Sequence, residues 1–553
     1  MRRTCLALAL ALSLAAAMPA AAATHLLTAA RIHTGDAERP VAEAMAWDEA
    51  GKLLALGGAD ELRRRFPDAR EHAQPGAVVI PGLIDAHAHV MGLGFALLRA
   101  DLVGAASKEE VIARLRAFEA TLPPGAWLLG RGWDQNDWPG KQFPTAADLD
   151  AAFPARPVWL ERVDGHAGWG NSAALRAVTR DLSGDWQPEG GRILRDAQGR
   201  ATGVFIDTAA ALVDAVVPAP DDALRAEALA RSLEAAARHG LTGVHDMGVS
   251  LADLALMRRF ADEDKLPLRI RAYADGDAAA LERLCVMGPY EHPKGRLAMR
   301  GVKFYVDGAL GSRGAALLED YSDEPGHRGL LVTEPAAYAA AVAKARDCGI
   351  QPASHAIGDR GNRIVLDTYE KVLGDAAGGD HRWRVEHAQV VHRDDLARFA
   401  ALKVVASMQP THATSDMPWA EARLGKERLY GAYAWQRLRA LGVPLALGSD
   451  YPVESVDPRL GLYSAVTRQD RDGQPPGGWL PDQRLTPEQA LRGFTAGAAF
   501  AAFDEDLVGR LTPGLAADFV VLDADPFVVA PAELPELKVL STWVDGRPAY
   551  TAE

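Results

Sequence analysis

Cysteine is nearly missing from this chain. Of 553 residues only three are cysteines, and Cys5 falls within the first few residues, too early to serve as a lipid-attachment site. The other two, Cys285 and Cys348, match no zinc spacing, so a cysteine-held metal is excluded. In an exported chain a disulfide between them is open but not required, and both are expected as small buried hydrophobes. Excess positive charge is lacking too. The formal net charge is −14, and no Lys/Arg cluster interrupts it, which argues against a nucleic-acid partner. After the N-terminal leader no run of about eighteen apolar residues occurs, so nothing there is expected to span a membrane.

The leader itself occupies residues 1–23. Arg2 and Arg3 form a basic start, Leu6 to Met18 an apolar core, and Ala21-Ala22-Ala23 a small-residue cleavage point. That is the pattern of a cleavable secretory signal peptide, and it predicts a periplasmic or secreted mature protein. Beyond it, residues 24–80 and 505–553 both read as strand–turn–strand ("AMAWDEAGKLLALGG", "ADFVVLDADP", "VLSTWVDGRPAY"). Two such ends are expected to pair into one composite β-sandwich domain.

Between them, residues 81–504 alternate apolar strands with Ala/Leu/Arg-rich helical stretches such as 222–239 and 336–347. The strands are "AVVIPGLIDAHAH", "GLTGVHDMG", "LRIRAYAD", "GVKFYVDG", "GIQPASHAIGD", "WRVEHAQ", "KVVASMQP" and "VPLALGSDYP". Eight parallel βα units predict an α/β chain built on a (β/α)8 TIM barrel, with its site at the C-terminal strand ends. About 150 residues separate the first two strands, too many for a plain connection, so residues 95–220 are expected as an inserted, lid-like subdomain. This insert holds Trp127, Trp133, Trp138, Trp159, Trp169 and Trp186, six of the twelve tryptophans. Their number hints at an aromatic or apolar substituent on a substrate, although packing within the insert accounts better for any single one.

The polar residues ending the strands carry the chemistry. His87 and His89 are two apart on the first strand, so their side chains share a face. Lys303 lies on the fourth, His355 on the fifth, His387 on the sixth and Asp450 after the eighth. Imidazole and carboxylate are the usual nitrogen and oxygen ligands of zinc, and a closed barrel would converge all six residues on its mouth. A lone strand histidine is ordinarily a rim or core residue. Six coincidences in one barrel are not.

The ordered motifs "DAHAH", "VKFYVDG", "SHAIGD", "VEHAQ" and "LGSDYPV", with "DGHAGWGNSAAL" in the insert and "GLAADFVVLDADP" near the end, resemble the amidohydrolase superfamily. The resemblance is to its family 3 branch, which includes N-substituted formamide deformylase-like enzymes, and it runs from about His25 onward. It implies two divalent ions, expected to be zinc. His87, His89 and Asp450 would hold one and His355 and His387 the other. Lys303, as N6-carboxylysine, would bridge them, because a neutral amine can take up CO₂ whereas an ammonium cannot ligate a cation. Metals about 3.5–4 Å apart would share a hydroxide that attacks an amide carbonyl, with Asp450 as general acid/base. The substrate expected is a small-molecule amide or formamide; homo-oligomerisation is left open.

Further candidates flank these residues. Arg313 could bind a substrate carboxylate or brace its loop, and Asp307 precedes it in the same glycine-rich segment. His166 could donate to the substrate carbonyl or close the insert's fold, and Trp133 could wall a pocket or pack in a core. Glu386 and Gln409 are placed to orient ligands, and His245 is expected to be structural. Two rival enzyme readings use the same scaffold. One is a mononuclear deaminase on His87, His89, His355 and Asp450 with His387 moving protons; the other is an esterase. A catalytically silent binding barrel would show broken ligands, and none is broken.

Overall fold

The computed structural model describes residues 25–553; the expected signal peptide lies outside them. Eight parallel strands form in the expected order: β1 (Leu83–Ala88), β2 (Leu241–Val249), β3 (Arg269–Asp275), β4 (Leu297–Tyr305), β5 (Gln351–Ala356), β6 (Arg384–His387), β7 (Val405–Met408) and β8 (Leu445–Leu447). Nearly every residue in them is buried, as expected of strands covered on both faces. The ladder runs unbroken from β1 to β8. What closes the ring is not a further ladder but a short seam. The Asp450 N–H donates to the His87 carbonyl at 2.7 Å, and Ala88 bridges Tyr451 in parallel sense. Gly448 makes that approach possible, since a Cβ there would lie 2.5 Å from both the Asp85 carboxylate and the His87 nitrogen.

Helices pack outside the barrel, and their ends follow capping chemistry. Asp221 accepts from the Leu224 N–H at 2.8 Å to open Asp222–Arg238, and Ser250 accepts from Asp253 at 3.1 Å to open Leu251–Asp262. Asp359–Leu373 buries Val365, Leu366, Tyr369 and Val372 along one face, which is the stripe an amphipathic surface helix presents to a core.

The two chain ends do pair. Phe519–Leu522 joins Arg70–Pro81 antiparallel, and together the ends build one seven-stranded sheet. Its sense is mixed rather than purely antiparallel, because His25–His33 runs parallel to Arg70–Pro81. Trp47, Phe519 and Trp543 form its aromatic core. Barrel and sheet are locked at the bottom by Arg269, which donates to both oxygens of Asp518 at 2.7 and 2.9 Å. Burial of that pair is tolerated because guanidinium and carboxylate meet in two charge-assisted hydrogen bonds.

The insert is a six-stranded sheet spanning residues 100–207. Its tryptophans build it. Trp133, Trp138 and Trp169 pack together, with the indole of Trp133 donating to the Leu160 carbonyl at 2.9 Å. Trp159 joins the insert's second cluster, against which Trp127 and Trp186 pack. Cys285 and Cys348 also depart from expectation. They are half-buried and joined in a disulfide, their Cα atoms 5.1 Å apart, because β3's following helix and the helix before β5 lie side by side.

Candidate metal centre

The strand ends converge as the barrel requires. Asp450 sits at the centre, its Oδ1 lying 3.0 Å from His89 Nε2 and 3.4 Å from His87 Nε2. The rings of His87 and His387 are 4.7 Å apart, and those of His387 and His355 4.6 Å. One donor atom each from His87, His387 and Asp450 falls within 4.8 Å of the others. Lys303 brings its Nζ to 3.3 Å from His87 Nε2. All six expected residues therefore meet in one place. Two of them stand in backbone conformations that L-residues rarely adopt: φ is +72° at His387 and +65° at Asp450. Such strain persists only where surroundings over-determine it, and it clusters at functional sites.

The tautomers are set from behind. His87 Nδ1 donates to Glu386 at 2.6 Å, His89 Nδ1 to the Met247 carbonyl at 2.8 Å, and His387 Nδ1 to Gln409 at 2.9 Å. With the proton pinned on Nδ1, His87 and His89 turn bare Nε2 lone pairs toward Asp450, and that of His87 also faces Lys303, whereas in His387 Nδ1 is the nitrogen that lies 4.0 Å from Asp450. His355 Nε2 is buried with no hydrogen-bond partner among the described residues. Glu386 is held in turn by Arg384, whose Nε reaches one carboxylate oxygen at 2.7 Å and whose Nη2 the other at 3.1 Å. Arg384 also donates to the Ala86 carbonyl, Ser407 and His245. That contact gives His245 its structural role.

Burial pushes the imidazoles of His87, His355 and His387 well below their usual value, and the Lys303 charge adds to the effect. All three are thus neutral bases. Lys303 is 1% exposed and pairs with no carboxylate among the described residues. Burial lowers it to about 8, against the pull of Glu386 and Asp450. Asp450 is buried as well, which opposes ionisation, but the neighbouring His87 and His89 outweigh this and hold it below the usual carboxylate range. Neutral imidazoles, an ionised carboxylate and an amine that sheds its proton readily form a donor set suited to divalent cations.

The centre opens into a cleft of about 760 Å³ between barrel and insert. His166 reaches it from the insert, its ring 5.4 Å from that of His355. Burial disfavours its charge, but the hydrogen bond to Asp207 at 2.6 Å outweighs this and raises it to about 9. A charged His166 keeps an N–H to offer into the cleft.

Three expected substrate contacts are placed elsewhere. Trp133 is fully buried in the insert core. Arg313 turns away to Asp323 at 3.0 Å and Glu324 at 3.4 Å, bracing its loop. The Asp307 carboxylate is spent on three backbone N–H groups, of Ala316, Ile357 and Gly358, at 2.8–3.0 Å. It fixes the loops after β4 and β5 rather than meeting a ligand. None of the insert's six tryptophans lines the cleft; Trp419 does. Sequence reasoning also missed His412, whose ring stacks on His387 at 5.9 Å with Nε2 3.6 Å from Asp450. Its signal was there, since "QPTH" directly follows the seventh strand, but the residue lies on a helix rather than at a strand end.

Comparison with known proteins agrees with this geometry. The sequence model of the amidohydrolase family matches residues 75–550. YtcJ of Bacillus subtilis is 34% identical over 515 residues, covering 91% of this chain and 95% of its own. The N-substituted formamide deformylase of Arthrobacter pascens is 30% identical, covering 94% and 97%. Among solved structures, an uncharacterized metal-dependent hydrolase from Pyrococcus horikoshii superposes with a TM-score of 0.75 at 29% identity, covering 92% of this chain and 99% of that one. With strand order, ligand geometry and sequence pattern all in agreement, this protein belongs to the amidohydrolase family.

Proposed function

We propose that this chain is an exported, binuclear metal-dependent hydrolase of C–N bonds in small linear amides, of the N-formyl or N-acyl kind. One observation carries the reading: the Nδ1 protons of His87 and His89 are pinned from behind, so that their bare Nε2 atoms face an ionised Asp450, with a buried, carboxylate-free Lys303 beside His87. His87, His89 and Asp450 would hold one ion, His355 and His387 the other, and a carboxylated Lys303 would lie between. Two divalent ions, when bound, supply a nucleophilic hydroxide at neutral pH and polarise the carbonyl. The chain's own groups do the rest. Asp450 accepts the proton of the attacking water and delivers it to the leaving nitrogen, which requires the short reach its position after β8 provides. His166, charged and braced by Asp207, donates to the carbonyl oxygen. The disulfide supports export to an oxidising compartment, and the A. pascens relative's name supports the choice of amide.

The mononuclear deaminase reading would leave Lys303 without a task. A buried lysine lacking a carboxylate partner favours the two-ion reading. The test is to purify the mature protein, count its metals, and screen N-formyl amines, N-acyl amino acids, cyclic amides and esters. Two ions per chain, uptake of isotope-labelled bicarbonate at Lys303, and collapse of both metal content and turnover in Lys303→Ala are expected. A single ion, or a Lys303→Ala variant with wild-type turnover, would refute it.

A further inference from the structure

One wall of the cleft has no part in the chemistry above. His412 opens the helix Pro410–Leu424, and Asp416 follows one turn later on the same face. Glu454 faces them from the loop after β8, and all three line the cleft. His412 is 9% exposed, and among the described residues neither of its ring nitrogens hydrogen-bonds to protein. Asp416 Oδ2 accepts from the Tyr433 hydroxyl at 2.7 Å and from Gln389 at 3.0 Å. Glu454 Oε1 accepts from Ser415 at 2.6 Å. The second oxygen of each carboxylate has no partner among the described residues, and neither carboxylate forms an ion pair.

The neighbouring acids differ. Asp134 and Asp164 clamp the buried Arg162 between them, each in an ion pair with it. Among the described residues lining this cleft, the lysine and arginine side chains without an ion pair are Lys303, in the metal centre, and Arg471, which is exposed. Two half-buried carboxylates without ion pairs, beside a histidine that among the described residues makes no hydrogen bond and has only the Asp450 carboxylate within 3.6 Å, leave electrostatic demand unmet; burial pushes Asp416 up to about 7 and raises Glu454. A cation delivered by a ligand would meet it. Trp419, Val453 and Leu460 add apolar lining to the same cleft. One helical turn from His412 to Asp416 spans about 6 Å, the length of a four-carbon chain.

We propose that His412, Asp416 and Glu454 form a specificity subsite for a terminal ammonium on the substrate, joined to the scissile amide by a short aliphatic chain. This inference rests on the amide-hydrolase reading for what lies at the other end of the ligand, but not for its test. Calorimetry on the metal-loaded protein compares N-(4-aminobutyl)methanesulfonamide with N-pentylmethanesulfonamide, neither of which can be hydrolysed as an amide. The corresponding acetamides are assayed for turnover in parallel. The ammonium-bearing sulfonamide is expected to bind at least about tenfold more tightly. Asp416→Asn and Glu454→Gln should each reduce that preference severalfold while leaving metal content and melting temperature unchanged. Preference without hydrolysis of either acetamide, their N-formyl counterparts or any amide of the panel would support the subsite and sink the amide reading. Equal binding, absence of binding by both probes, or a preference that survives both substitutions would overturn the subsite, whatever the hydrolysis assay gives.

Discussion

Replacing Glu386 by glutamine removes one charge and changes almost no volume, which makes it a clean probe of how the metal centre is held. Glu386, Arg384 and His87 are all fully buried. In the wild type the carboxylate accepts a hydrogen bond from His87 Nδ1–H at 2.6 Å and two more from the Arg384 guanidinium at 2.7 and 3.1 Å. Glu386→Gln offers one acceptor where two stood, and its amide NH₂ must face either His87 or Arg384, both donors. Breaking a buried ion pair from one side costs about 3–5 kcal/mol, because the surviving charge stays desolvated. Arg384 keeps its bonds to Ala86, Ser407 and Tyr273, so the lower end of that range applies to the metal-free protein. The loss of a carboxylate behind a ligating imidazole should weaken metal binding a further 10–100-fold, about 1.4–2.8 kcal/mol. Denaturant unfolding of the metal-free protein reads the first quantity, and chelator competition with metal analysis reads the second. Gln409→Ala, which removes a neutral acceptor behind His387, should show the weaker metal effect of the two. An unchanged metal affinity in Glu386→Gln, or a larger loss in Gln409→Ala, would refute the claim that Glu386 fixes and charges the His87 ligand.

Three further outcomes are expected. Gly448→Ala would press a methyl group against Asp85 and His87 N at 2.5 Å, prising open the seam between β1 and β8; metal content should fall well below that of wild type, while a Gly378→Ala control, with open space at its Cβ, should retain it. Replacing Cys285 and Cys348 by serine releases a loop of 63 residues, and the loss by loop entropy is about 4 kcal/mol at most; an unchanged unfolding midpoint would show that packing of the two helices already restrains that loop. Trp133→Ala should cost about 3–5 kcal/mol through cavity formation in the insert, read by denaturant unfolding, with little change in KM for a residual folded population. A large KM effect at unchanged stability would mean that Trp133 faces ligand after all.

Much of the barrel was legible in one dimension. Each strand is a short apolar run ending in a residue of chosen chemistry, and a parallel barrel sends all such ends to one mouth. The strand order, the pairing of the two β-rich ends and the meeting of His87, His89, Lys303, His355, His387 and Asp450 therefore followed from local pattern plus topology. What failed were residues whose meaning depends on direction. Arg313 and Asp307 sit in the right loop but turn to Asp323 and to backbone amides. Trp133 lies in the insert nearest the cleft yet points into its own core.

Sequence alone determined the elements and their polar termini, because hydrogen-bonding period and side-chain alternation are properties of consecutive residues. Only the tertiary structure decided which helix face looks into the cleft, bringing in His412 and Asp416, and that both oxygens of Asp307 were already taken. It also decided that residues 285 and 348 lie 5.1 Å apart. Those outcomes depend on helix phase, loop closure and docking of the insert, each set by packing among segments far apart along the chain, and no local window of residues encodes them.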